Sequence, residues 1–144
     1  MVSEIFFLER NPMINYVLCV AKTGNKYVFI KKERPAWQKG KLNFVGGKIE
    51  AEETAKAATV REFFEETGIR TEDSDWTYKG ILYKPDVFKI WVFYSNKDEY
   101  INAKTVTDEE IIVKDDYDNC HHSLEWIAKL IEDEDQKTFT IEYH

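Results

Sequence analysis

Three glutamates, Glu62, Glu65 and Glu66, recur at spacings of three and four residues near the end of an alanine-rich stretch. On a helix these positions share one face, so their carboxylates project together and repel. Arg61, next to Glu62, can offset only part of that repulsion. A divalent cation is a natural remedy, because hard ions such as Mg²⁺ take carboxylate oxygens and also hold the phosphates of a substrate. The residue types therefore point to cation-assisted chemistry on a phosphorylated ligand.

The surrounding sequence supplies the elements that would hold this face in place. Leu42-Asn43-Phe44-Val45 is a short apolar run that leads into a Gly46-Gly47 turn. The helix is expected to start near Thr54, whose hydroxyl can cap free amides, and to stop at Gly68. Ala55, Ala57, Ala58, Val60, Phe63 and Phe64 supply its helix-forming and apolar positions. Upstream, residues 13–21 and 26–32 read as two β-strands joined at Thr23-Gly24-Asn25, a hairpin. The connection from Glu33 to Lys41 is a loop. Its Trp37 is either a core plug, the commoner role for an aromatic residue, or a wall for a flat ligand.

Downstream, Trp76 to Tyr83 and Val87 to Ser95 read as two further strands, the second too apolar for an exposed edge. Residues 96–109 form a polar loop, and Ile111-Ile112-Val113 a brief strand. Leu124, Ile127, Leu130 and Ile131 recur at helical spacing from about Ser123, giving an amphipathic helix to pack on the sheet. A short terminal strand follows over residues 139–143. Strands mixed with two helices imply an α/β or α+β sandwich.

Bulk properties narrow the partners. At 144 residues the chain fits one compact domain, residues 1–144. Its 43% hydrophobic and 33% charged residues describe an ordinary globular protein, not a disordered one. A net charge of −7 argues against a stable nucleic-acid partner, which needs a basic face, but not against a phosphorylated ligand held through metal ions. No stretch is long and apolar enough to span a membrane, and Met-Val-Ser-Glu opens no basic region followed by a long apolar segment, so no targeting segment is expected. Cys19 and Cys120 are far apart and suggest no disulfide framework, so a cytoplasmic location is expected. Cys120, His121 and His122 are adjacent, without the spacing of known zinc sites, and read as a loop or helix start.

The central stretch resembles the Nudix box: Gly, five residues, Glu, seven residues, Arg-Glu, an apolar residue, any residue, Glu-Glu, any residue, Gly and an apolar residue. Gly47, Glu53, Arg61-Glu62, Phe63, Glu65-Glu66, Gly68 and Ile69 occupy those positions in register. The run from Gly40 to Glu50 is similar to that of the MutT-like group, which acts on nucleoside triphosphates, including oxidised purine forms. The resemblance implies the Nudix fold, an α/β/α sandwich with a mixed β-sheet between helices. It also implies a hydrolase that cuts within the diphosphate of a nucleoside diphosphate linked to X, most simply a (d)NTP giving NMP and pyrophosphate. ADP-ribose, dinucleoside polyphosphates and nucleotide sugars are alternative substrates, and a nucleotide-sensing module without catalysis is an alternative class.

By the same resemblance the cofactor is Mg²⁺, with Mn²⁺ as a substitute. Glu65 and Glu66 are the leading metal ligands, and Glu62 is a ligand or the general base. Glu53 is a metal or supporting residue at the helix entrance, and Gly46 offers a backbone carbonyl to a metal. Arg61 either orients Glu65 by a charge-assisted hydrogen bond or forms an ordinary helix ion pair. Lys48 is a phosphate contact or simply an exposed lysine. A further metal carboxylate is expected from Asp108, Glu109 or Glu110, with Asp115 and Asp116 as rivals. For the base, Asn43 with Asp115 or Asp116 could hydrogen-bond the edges while Trp37 or Tyr83 stacks. Many relatives dimerise, so a homodimer is among the expected states.

Overall fold

The computed structural model describes residues 13–135 and 137–144; the expectation about the extreme N-terminus lies outside them. Seven strands form one mixed sheet: β1 (Ile14–Thr23), β2 (Lys26–Lys31), β3 (Leu42–Lys48), β4 (Thr77–Lys84), β5 (Phe88–Asn96), β6 (Ile111–Lys114) and β7 (Phe139–Glu142). Their order is β6-β2-β3-β1-β5-β4-β7. Two helices, α1 (Ala55–Thr67) and α2 (Leu124–Glu132), cover its two faces. This is the expected α/β/α sandwich.

β1 lies at the middle of the sheet, antiparallel to β3 and parallel to β5 from Ile14↔Phe88 to Lys22↔Asn96. A strand buried on both faces needs apolar residues at successive positions, which explains the run Val17-Leu18-Cys19-Val20-Ala21. Val17, Cys19 and Ala21 join the cluster under α1, with Val28, Val45, Phe63 and Phe93. Leu18 and Val20 join the cluster under α2, with Phe29, Phe44, Leu124, Ile127 and Ile131. Phe63 ties α1 down, edge-on to Trp76 and Tyr100 with ring centroids 5.2 and 5.1 Å away. As expected for so apolar a strand, β5 is interior, between β1 and β4.

Three local expectations are corrected. The β1–β2 hairpin is closed only at its tip, where Lys22 and Thr23 face Tyr27 and Lys26. Beyond the tip β3 enters between the two strands and pairs with both. The Gly46-Gly47 pair is not a turn but the end of β3, in register with Leu18 and Val17. Last, the polar loop 96–109 contains a 3₁₀ segment, Asp98–Asn102, whose Tyr100 is fully buried and shares a hydrogen bond with Ser95 Oγ at 2.6 Å.

Candidate active site

Two glycines allow the box helix to sit against β3. A Cβ at Gly46 would stand 2.4 Å from the Val17 carbonyl oxygen, so backbone closeness to β1 requires glycine there. A Cβ at Gly47 would stand 2.3 Å from both Cδ and Oε1 of Glu62. The space a side chain would fill at Gly47 is therefore taken by a carboxylate. Thr54 caps α1 by accepting from the Ala57 amide at 3.0 Å, and Gly68 closes it at φ +78°. These ends place Arg61, Glu62, Glu65 and Glu66 along the last two turns.

Arg61 organises the cluster more widely than an i,i+4 pair. Its Nε and Nη2 grip the Glu53 carboxylate at 2.7 and 2.9 Å, a two-pronged pairing. Nη2 also donates to the Lys48 carbonyl at 3.0 Å, tying the helix back to the end of β3. Nη1 stands between two box glutamates, 2.9 Å from Glu62 Oε1 and 3.2 Å from Glu65 Oε2. These hydrogen bonds pull the Glu53 carboxyl below the usual carboxylate range. In turn they raise Arg61 further above its already high value, Glu53 contributing most.

The other two carboxyls shift the opposite way. Glu62 is only 9% exposed, and burial raises its pKa despite Arg61. Glu66 is raised by burial first and by the nearby Glu109 charge, while a 3.0 Å hydrogen bond from Thr107 Oγ1 opposes the rise. Both groups therefore sit in surroundings that resist their ionised forms, which is what a bound cation would relieve. Glu62, Glu65 and Glu66 offer the hard oxygen donors that suit Mg²⁺ or Mn²⁺. As placed, no three His, Cys, Asp or Glu side chains among the described residues converge as a metal cage. The Arg61 guanidinium instead holds the position between Glu62 and Glu65, and Thr107 holds Glu66.

Of the downstream carboxylates, burial singles out Glu109, at 5% exposure. It accepts from the Glu33 amide at 2.7 Å and from Lys32 Nζ at 3.2 Å, with Arg34 3.8 Å away, and Arg34 pairs closely with Asp108. Thr107 links this loop to Glu66, so residues 107–109 join the loop after β2 to the end of the box helix. Lys32, Arg34 and Thr107 carried no signal in the sequence; only the packing of two loops brings them to the carboxylates. Glu110 is exposed.

The residues expected to meet a base are arranged less uniformly. Asn43 shares a sheet face with Val45 and Gly47 by strand alternation, and its amide donates to Gln38 Oε1 at 3.4 Å. Trp37 is 71% exposed, so the core-plug role is overturned: it sits on a 3₁₀ turn (Ala36–Gln38) too far out to be covered. Asp115 and Asp116 are both exposed, and Asp116 is engaged by Lys114 Nζ at 2.7 Å and by the Asp118 amide. Tyr83 is not brought to Asn43. It lies on β4, three strands from β3 and so about 14 Å away, and donates to Glu142 at 3.0 Å. Lys48 is exposed at the rim of an open cavity of about 620 Å³, whose lining includes Glu50, Glu53, Ala55 and Trp91.

These features match a known class. The chain belongs to the Nudix family, whose NUDIX domain model matches residues 13–140, and so to enzymes that hydrolyse nucleoside diphosphates linked to another group. Hydrolases of this family generally use divalent metals. No curated protein matches the chain in sequence. Among solved structures, the chain is similar to a mutator MutT protein from Bacillus halodurans, with a TM-score of 0.68 and 19% identity over 91% of this chain and 90% of that one. It is also similar to a Nudix hydrolase from Nitrosomonas europaea, with a TM-score of 0.62 and 16% identity over 91% and 80%. A third similar structure is a bifunctional NMN adenylyltransferase/ADP ribose pyrophosphatase from Francisella tularensis complexed with AMP and a Mn ion. There the TM-score is 0.61 and the identity 18%, over 91% of this chain and 46% of that one.

Proposed function

We propose that the protein is a Mg²⁺-dependent pyrophosphohydrolase that converts a (d)NTP to the nucleoside monophosphate and pyrophosphate. The observation that carries this reading is the packing of the Glu62 carboxylate into the gap left by Gly47, beside Glu65, with Glu66 one turn further on. Bound Mg²⁺ would lower the pKa of water and stabilise the oxygens on both sides of the displacement. Glu65, Glu66 and the Gly46 carbonyl would hold it, with Glu62 as a further ligand or as the base.

As base, Glu62 takes a proton from the attacking water while a new P–O bond forms and the anhydride P–O bond breaks, releasing pyrophosphate. Arg61 and Glu53 are positioning residues that keep Glu62 and Glu65 in place. Lys48 contacts phosphate, and Asn43, Trp37, Asp115 and Asp116 are the base-side candidates. The enzyme would work as one domain in the cytoplasm on small nucleotides rather than on nucleic acid, with a homodimer as its proposed assembly.

One observation favours a second substrate class. The open cavity beside Glu53 and Lys48, walled by Trp91, has room for a ring-bearing group beyond the diphosphate, as in ADP-ribose, a dinucleoside polyphosphate or a nucleotide sugar. A panel of all these compounds with Mg²⁺ tests both readings, with Glu66→Gln as control. That substitution is expected to lower kcat at least about 100-fold. No cleavage of any compound, or equal cleavage by the variant, would refute the catalytic reading.

A further inference from the structure

The Arg61 fork reaches Glu53, Glu62 and Glu65 but makes no hydrogen bond to Glu66, one turn beyond Glu62. Among the described residues, the Glu66 carboxylate has a single hydrogen-bond partner: the Thr107 hydroxyl donates to its Oε2 at 3.0 Å. Thr107 is exposed, yet its hydroxyl is not free to turn. The Glu109 backbone amide donates to the same Oγ1 at 3.1 Å, so the hydroxyl proton points away from that amide and toward Glu66. Only Oε2 of Glu66 is engaged in this way, which leaves Oε1 for a hard cation.

The loop that carries Thr107 is anchored independently of that hydroxyl. Its start is tied to the last residue of α1, where the Lys104 amide donates to the Thr67 carbonyl at 3.1 Å. Its end is tied to the sheet. There the Lys31 amide donates to the Glu110 carbonyl at 2.8 Å, and the Ile111 amide donates to Thr105 Oγ1 at 2.9 Å. Between these ends the buried Glu109 carboxylate commits both oxygens to the loop after β2, Oε1 to Lys32 and Oε2 to the Glu33 amide. A hydroxyl on a backbone fixed in this way can select one rotamer of a flexible glutamate, and so remove in advance part of the ordering cost of binding a cation.

We propose that Thr107 is a positioning residue that holds Glu66 in its cation-binding rotamer, so that a loop outside the box helps to set metal affinity. Carboxylates that bind metals are themselves held by hydrogen bonds from outer groups, and loss of such a partner costs about 10- to 100-fold in affinity or activity. The box carboxylates are then braced from two sides. Arg61 orients Glu62 and Glu65 from within the helix, and Thr107 orients Glu66 from across the gap to the next loop. This inference rests on the metal-dependent hydrolase reading and adds to its metal site a residue that touches neither cation nor substrate.

The test is Mn²⁺ binding without nucleotide, followed by the paramagnetic resonance signal of free Mn²⁺, in the wild type, Thr107→Val, Thr107→Ser and Glu66→Gln. Binding that is lost in Glu66→Gln marks the site. Thr107→Val keeps the shape of the side chain without its proton donor and should weaken that binding at least about tenfold. Thr107→Ser keeps the hydroxyl and should restore most of it. Melting temperatures in EDTA should agree within about 2 °C, because an exposed side chain on an anchored loop contributes little to the fold. Pyrophosphate release at limiting Mg²⁺ should fall in the same order through kcat and not through the KM for nucleotide. In a Glu66→Gln background Thr107→Val should cost nothing further, since it acts through Glu66. Mn²⁺ binding by Thr107→Val as tight as wild type would overturn the assignment, as would tighter binding, which would mean that the bond parks Glu66 away from the cation. A serine variant as weak as the valine one, or a wild type that binds no Mn²⁺ through Glu66, would also overturn it. A Mn²⁺ site that depends on Thr107 in a protein that cleaves no nucleotide would sink the hydrolase reading alone.

Discussion

Adding one methyl group at Gly47 should disable the enzyme while leaving the fold largely intact. A Cβ there would lie 2.3 Å from Cδ and Oε1 of Glu62 and 2.6 Å from Oε2. Non-bonded carbon atoms rest about 3.5 Å apart or more, so the carboxylate must retreat by about 1 Å. Its 2.9 Å bond from Arg61 would lengthen or break. The yielding group is the end of a flexible side chain, so Gly47→Ala should cost about 1 kcal/mol of stability. A displacement of 1 Å at a reacting group costs about 100-fold in rate, and that loss is expected in kcat. Gly46→Ala is the natural contrast. There the obstacle is the Val17 carbonyl in the central strand, 2.4 Å from the added carbon, and backbone cannot swing aside. Its main effect should be on folding, about 3 kcal/mol by urea denaturation. Pyrophosphate release with Mg²⁺, run beside denaturation curves for both variants, checks the pair. If Gly47→Ala keeps activity within threefold of wild type, Glu62 is not the placed carboxylate argued above.

The Arg61 fork and the raised carboxyls make two further measurable claims. Arg61→Lys keeps the charge but cannot grip Glu53 through two nitrogens while also reaching Glu62 and Glu65, so it should lose about 2 kcal/mol by urea denaturation, with kcat down at least tenfold. Stability equal to wild type would show that the fork is dispensable. Glu62 and Glu66 have folded pKa values raised above 4.5, so between 4.5 and those values the folded state holds more protons than the unfolded chain. Their contribution to stability is present at the acid end and is lost as pH rises through that window. Melting temperatures in EDTA should therefore decline less with rising pH in Glu66→Gln than in wild type, and Mg²⁺ should reduce the wild-type loss. Identical pH slopes in the two proteins would refute this assignment.

How far the sequence reached depended on whether the determining contacts were local. The cap at Thr54, the stop at Gly68 and the shared face of Glu62, Glu65 and Glu66 follow from helix geometry alone, and all three are present. The amphipathic pattern of residues 124–131 likewise placed α2, and the apolar run of β5 placed that strand inside the sheet. What the sequence did not disclose was pairing at a distance. Thr23-Gly24-Asn25 looks like an ordinary hairpin because nothing in the two strands announces that β3 will separate them. Gly46-Gly47 reads as a turn because the close approaches of Val17 and Glu62, which are what require glycine, come from other elements. Trp37 could not be told from a core aromatic, since its exposure depends on the whole loop. Glu109 was one of three adjacent acidic residues until burial distinguished it.

The insertion of β3 between the two arms of the first hairpin also bears on the order in which the molecule assembles. The β1–β2 tip can close at once, since its partners are neighbours in sequence. The central pairing of β1 with β5 joins residues roughly seventy positions apart, and such contacts come with a high loop-closure cost before they contribute any stability. Gly47 is in register with Val17 of β1, and Glu62 rests against Gly47. The box helix can therefore form early as a helix, but its carboxylates reach their final positions only when β3 has paired with β1. Nascent or partly folded chains would carry the whole motif and none of its geometry, so activity should return during refolding no sooner than that pairing forms.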